Sequence, residues 1–321
     1  VIAEIALLLV AALAATSGPR LLRGSTWIER SPWVGIVLWQ SLSVSAIAAA
    51  VLAGAALALP AVPLSDDLAA LLSACGAALR AQYETPGGTA ASATGTVLTS
   101  GVLGRVFYCL AAEVTLARNQ RARHLRSLAV LAQPDVRTGA LVLDHGVPVA
   151  YCLPGRGGRV VVTSAALETL GDEEFAAVLA HERAHLDARH HLVLAVSSAL
   201  ARAFPRVPVF RDAHEALMRL VEMHADDVAA SCNERLNIAT ALVRLAESKA
   251  PAAALGAGGP TSVARVRRML APADPLRVGG VAAALATAAM LVLAPVGILV
   301  APAVVAATAD LCPIEFPVDI V

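Results

Sequence analysis

The residues best suited to chemistry lie in His181-Glu182-Arg183-Ala184-His185. Two histidines four residues apart differ by about 40° around a helix, so their imidazoles converge on one side. Zinc needs that convergence, with a third protein ligand and a water completing a hydrolytic site. A glutamate next to the first histidine reaches such a water and takes its proton. The implied chemistry is metal-assisted hydrolysis, with His181 and His185 as ligands and Glu182 as general base. Glu222, in Glu222-Met223-His224-Ala225-Asp226, is the best third ligand, because a carboxylate from a second helix completes sites of this kind. Asp226 lies one turn further on the same face, where it can fix the tautomer of a ligand histidine. Glu215, two turns before Glu222, is the rival. His191 would serve only if a glycine broke the helix after His185, yet position 188 is Ala188 and no glycine occurs from Asp172 to Phe204. On an unbroken helix His190 and His191 stand about 140° and 240° from His185 and point away from a metal. Both are expected to cap or solvate the helix surface. His224, about 200° from Glu222, is expected outside the site. His124, His145 and His214 have no spacing that supports ligation.

The elements that must carry these residues can be read on either side. Phe175–Ala180 is an apolar run that would bury the motif, and Asp172-Glu173-Glu174 supplies an acidic first helical turn. That helix is expected to continue to about Phe204, where Pro205 follows. Further helices are expected at Ser164–Leu170, Asp212–Asn233, Asn237–Ser248 and Thr261–Leu270. Before them, Ala140–Asp144, Val147–Leu153 and Arg159–Thr163 are β-branched runs separated by Asp144-His145-Gly146 and a Gly-rich link. They predict a small antiparallel sheet. Val147–Leu153 is a candidate edge strand, and Val149, Ala150 and Tyr151 are the residues expected to hold a substrate as an added strand.

The chain has 321 residues, of which 57% are hydrophobic and only 16% charged, with a mean hydropathy of +0.68. Soluble domains carry about 25% charge, so the deficit predicts membrane segments. Val1–Thr16, Val34–Leu59, Ala93–Ala117 and Val281–Thr308 are the expected spans. The first begins without Met and is short, which predicts residues missing before it. A signal peptide is disfavoured there, since no basic leader is visible and a second span follows. Arginines cluster in Ser17–Trp33, at Arg118–Arg126 and at Arg265–Arg277, whereas Pro60–Ser92 and the tail are acidic. Positive residues favour the cytoplasmic side, so those basic segments are expected inside. The resulting organisation is a three-span membrane region over 1–117, a cytoplasmic metal domain over 118–280, a fourth span over 281–308 and an outer tail over 309–321. Arg105 and Glu113, inside the third span, are expected to form ion pairs between packed helices. Cys75 and Cys312 fall on the outer side and form a candidate disulfide. Cys109, Cys152 and Cys232 read as small apolar fillers. Net charge is zero, so no direct nucleic-acid binding is expected.

With these residues assembled, the chain resembles the BlaR/MecR-type membrane zinc peptidases and the broader group containing the HtpX-type membrane proteases. The resemblance rests on the order of spans, on Arg159–Thr163 leading into Phe175–His185, and on the Glu222–Asp226 element. It implies an α-helical multi-pass plasma-membrane protein with an α+β zincin-like (gluzincin) cytoplasmic domain. It also implies Zn2+ on His181, His185 and Glu222, Glu182 as base, and Asp226 behind the ligands. The expected activity is endopeptidase cleavage of a protein or peptide at the lipid bilayer. The substrate would be a transcriptional repressor in signalling, or a damaged membrane protein in quality control. A zinc-containing receptor or scaffold without catalysis is the alternative. Antirepressors of the first group carry a large outer penicillin-binding sensor after the fourth span. Here Ala309–Val321 follows, so direct β-lactam sensing is not expected.

Overall fold

The computed structural model describes residues 2–58, 88–155, 157–247 and 260–309. Cys75 and Cys312, and the bridge expected between them, lie outside the described residues. Helix α1 (Ile2–Arg23) is followed by a short 3-10 turn (Thr26–Arg30) and α2 (Pro32–Ala58). Helix α3 (Gly88–Leu131) runs for 44 residues, past the expected end of the third span without interruption. Four strands come next: β1 (Ala132–Pro134), β2 (Leu141–Leu143), β3 (Ala150–Leu153) and β4 (Arg159–Thr163). The further elements among the described residues are helices: α4 (Ser164–Thr169), α5 (Asp172–Asp187), α6 (His190–Ala203), α7 (Pro208–Ala230), α8 (Arg235–Glu247), α9 (Pro260–Leu270) and α10 (Val278–Ala309).

Among the described residues four helices are long and apolar enough to cross a membrane: Ile2–Arg23, Pro32–Ala58, Ala90–Leu131 and Val278–Ala301. They suggest a membrane protein. The chain divides into two compact units. One comprises 1–18, 41–105 and 286–321; the other comprises 19–40 and 106–285. In the first, α2 and α3 meet at glycines. A Cβ on Gly95 would collide with the Gly54 carbonyl at 2.5 Å, and one on Gly54 would press on Thr99. Small residues let membrane helices approach this closely.

The second unit holds the sheet and the helices α4–α9. The sheet is mixed rather than antiparallel, with order β1-β2-β4-β3. Strands β1 and β2 are antiparallel, β2 and β4 parallel, and β4 and β3 antiparallel. The turn at Asp144–Gly146 therefore does not make β2 and β3 neighbours, because β4 lies between them. β4 is the buried centre, with Val161 and Val162 fully enclosed. β3 is left at an edge.

Thr163 ends β4 and caps α4, its side chain accepting from the Ala166 N–H at 3.3 Å. Leu170 and Gly171 then turn the chain. The Gly171 N–H donates to Glu174 Oε2 at 3.0 Å, which satisfies an otherwise orphaned donor at the start of α5. Phe175, Val178 and Leu179 of α5 pack with Val160, Val162 and Ala166 beneath the sheet. On another side, Ala177 meets Ala229, Ile238, Ala239 and Met269 from α7, α8 and α9. Thus α5 is clamped by the sheet and three helices, and burial of this apolar surface at about 25 cal/mol per Å² is what fixes its position.

The long helix expected from Asp172 to Phe204 is two helices. α5 stops at Asp187, Ala188 closes it, and Arg189 adopts left-handed angles (φ 52, ψ 39) before α6 begins at His190. No glycine marks this break. Glu113 pairs with Arg202 of α6 at 2.7 Å, an interhelical ion pair as expected for this residue. Cys109 is buried, whereas Cys232 is exposed and fills no core.

Candidate metal centre

The sheet-clamped helix α5 presents His181, Glu182 and His185 toward α7, which presents Glu222. The two Nε2 atoms of His181 and His185 stand 3.1 Å apart. Glu222 faces both rings, with Oε2 3.6 Å from His181 Nε2 and Oε1 3.5 Å from His185 Nε2. Ligand atoms about 2.0–2.2 Å from a tetrahedral zinc are separated by about 3.4 Å, and one ligand atom from each of His181, His185 and Glu222 lies within 4.8 Å of the others, a grouping that could hold one ion. Among the described residues this trio is the only group of three or more His, Cys, Asp or Glu arranged to hold a metal. The rival Glu215 is exposed on α7.

Asp226 is fully buried one turn beyond Glu222, its Oδ1 3.0 Å from His181 Nδ1. Burial alone would raise its pKa, but Arg265 and His181 hold it down at about 2. Burial also opposes a charge on His181, yet Asp226 and Glu222 lift that ring to about 9. His185 goes the other way, to about 4, through burial and the neighbouring His181 charge. Glu222 is held below the usual glutamate value because His181 and Arg265 outweigh its burial. Glu182 is raised, chiefly by burial, against the pull of His181 and of the Cys152 thiol and amide. A carboxylate with a raised pKa is a better proton acceptor, which suits a general base.

Two contributions were not read from the sequence. Arg265 of α9 grips Asp226 with Nε at 2.8 Å and Nη2 at 2.7 Å, and donates Nη1 to Glu222 at 2.7 Å. In the sequence it passes for one of the arginines before the last span, whose role there is to predict orientation. The available signal is its spacing: Arg265 and Met269 are four apart and share the inner face of α9, while Arg267 is exposed. The second contribution is His190, which corrects the expectation of a surface residue. It is only 2% exposed, with Nδ1 2.9 Å from His185 Nδ1 and Nε2 2.9 Å from His224 Nδ1. The break at Arg189 invalidates the helical-wheel angle that excluded it. His224, also expected away from the centre, is joined to it through His190. His191 is not among the clustered ligands.

The edge strand β3 lies beside this centre, with Cys152 against Glu182. Thr163 N–H donates to the Val149 carbonyl at 3.0 Å, and Val149 N–H donates to Thr163 Oγ1 at 2.9 Å. Val149 thus faces β4. In an antiparallel pair the bonding direction alternates, so the main-chain groups of Ala150 and Cys152 face the free edge. Cys152 acts on Glu182, and its thiol is pushed up to about 12 by burial and by that carboxylate. Tyr151, between them, bonds His124 Nε2 of α3 through its hydroxyl at 2.7 Å.

A helix carrying two converging histidines and a glutamate, a second helix supplying a carboxylate, and an edge strand alongside define a metallopeptidase-type centre. Residues 116–273 match the model of peptidase family M48, which supports an M48-family metallopeptidase over that stretch. Peptidases of this family are generally zinc-dependent. No curated protein and no solved structure matches the chain.

Proposed function

We propose that this chain is a multi-pass membrane zinc endopeptidase, with its catalytic domain on the cytoplasmic face of the plasma membrane. The observation that carries the reading is the His181–His185–Glu222 triangle, with Glu182 on the same helix. Those three residues would hold the ion, and zinc supplies a Lewis acid that polarises water and the scissile carbonyl. Glu182 accepts the proton of the attacking water and delivers it to the leaving amine. Asp226 holds His181 from behind at Nδ1, and Arg265 ties Asp226 to the Glu222 carboxylate, donating to the Oε2 that faces His181. The free edge of β3 takes the substrate as an extended strand through the main chain of Ala150, next to the Cys152 amide that bonds Glu182. A zinc-bearing scaffold would have no use for Glu182 beside the triangle, and this favours the enzyme.

The substrate is a cytoplasmic or membrane protein. By resemblance to the antirepressors it is a repressor in a signalling pathway; by resemblance to the HtpX-type proteases it is a damaged membrane protein. The deciding experiment compares new protein N-termini in cells carrying the natural chain and cells carrying Glu182→Ala at equal expression. The Glu182→Ala chain is expected to keep zinc and lose cleavage, with rate falling about 10²–10⁴-fold on substrates identified this way. If purified natural chain and variant cleave those substrates equally, Glu182 is not the base and the reading fails.

A further inference from the structure

Arg189 is the only non-glycine residue with positive φ among the described residues. Left-handed geometry is unfavourable for a long side chain and persists where surrounding structure demands it. Its effect is to fold the chain back so that His190, the first residue of α6, lies against the His185 ring. His190 is buried with both ring nitrogens against other imidazoles, at 2.9 Å on each side. The rings meet edge-on, with centroids 4.8 Å and 5.1 Å apart. The two ligand histidines therefore have different supports. His181 has the carboxylate of Asp226 behind it, whereas His185 has an imidazole.

Hydrogen-bond accounting gives this chain a direction. A neutral imidazole has one N–H and one lone pair. If His185 gives its Nε2 lone pair to a metal, its proton sits on Nδ1 and is donated to His190 Nδ1. His190 then carries its proton on Nε2 and donates it to His224 Nδ1. His224 keeps an N–H on Nε2. One bond at the metal thus sets the tautomers of three histidines.

We propose that His190, backed by His224, is the positioning residue that fixes the ring orientation and tautomer of His185. The inference rests on the proposed metal site, though not on peptide cleavage. Outer partners of metal-binding histidines are worth about 10–100-fold in metal affinity.

The test uses the full chain in detergent, with zinc affinity measured by chelator competition and ligand geometry by the visible spectrum of the cobalt-substituted protein. His190→Leu keeps bulk and removes the acceptor; it is expected to weaken zinc binding about 10–100-fold and shift the cobalt bands. His190→Gln offers an amide oxygen to the His185 N–H and is expected to recover most of both. His224→Leu, one bond further out, is expected to cause a smaller loss. Natural affinity and spectrum in His190→Leu, or equal losses in the Leu and Gln variants, would overturn the proposal. If His190→Leu does not fold, His224→Leu decides, and natural affinity there overturns the imidazole chain. A natural chain that binds no zinc overturns both this inference and the peptidase reading. The Leu–Gln pattern in a chain that cleaves nothing removes only the latter.

Discussion

Asp226 shows how a single buried carboxylate ties the centre together. Arg265 and His181 both depend on it, and the pKa shifts give the consequence for protein stripped of metal. Asp226 is held at about 2, so its contribution is present above the ordinary value of 3.8 and lost as pH falls toward 2. His181 is raised to about 9, so its contribution is complete below 6.5 and lost as pH rises through 9. The two shifts share one contact and are not added together. The alkaline loss corresponds to about 3 kcal/mol, or on the order of 5–10 °C in Tm. Melting of the metal-free protein is expected to fall between pH 6.5 and 9.5. Zinc-loaded protein, which needs His181 neutral, is expected to lack that fall, and Asp226→Asn to diminish it in the metal-free form, where Glu222 remains. A flat metal-free profile would mean that His181 is uncharged there. At this scale the sequence was informative where chemistry depends on local spacing, as in the two histidines four apart and the Glu222–Asp226 turn. It was uninformative about Arg265, which arrives from 39 residues beyond Asp226 in a segment already accounted for by membrane orientation.

Among the elements, helices were legible and their interruptions were not. The acidic first turn and apolar run placed α5, but a left-handed arginine leaves no compositional mark. The break before His190 was hidden for that reason, and with it the imidazole chain. Sheet order was hidden for a related reason. A turn signature specifies a reversal, not which strand will occupy the space beside it, and β4 rather than β3 pairs with β2. The edge position of β3 leads to a sharp test. Ala150 directs its N–H away from β4, so proline there removes no ladder bond, and edge strands tolerate proline at such positions. Ala150→Pro is expected to preserve zinc binding and melting temperature while raising KM and lowering kcat/KM about tenfold or more, as measured on a peptide substrate. Unchanged cleavage would show that substrates do not add to β3 through that amide.

For the molecule as a whole, hydropathy and arginine placement predict four spans and a side for each loop, and the four apolar helices among the described residues agree with the spans in number. Sidedness can be checked with Cys232, which is exposed in the turn just after α7. In a chain with Cys75 and Cys312 replaced by serine, a membrane-impermeant maleimide is expected to label Cys232 only after cells are permeabilised. Labelling in intact cells would reverse the orientation. The four-residue edge of β3 has a last consequence, for which proteins such an enzyme could attack. An added strand must be extended, so a folded substrate has first to open locally at the cleavage site. When opening is fast relative to cleavage, turnover follows the open population, and each 1.4 kcal/mol of local stability in the target slows its destruction about tenfold. Selection would then fall on the weakest-folded stretch within reach of the membrane more than on a residue code, making the lifetime of a target adjustable by whatever ligand or partner tightens that stretch.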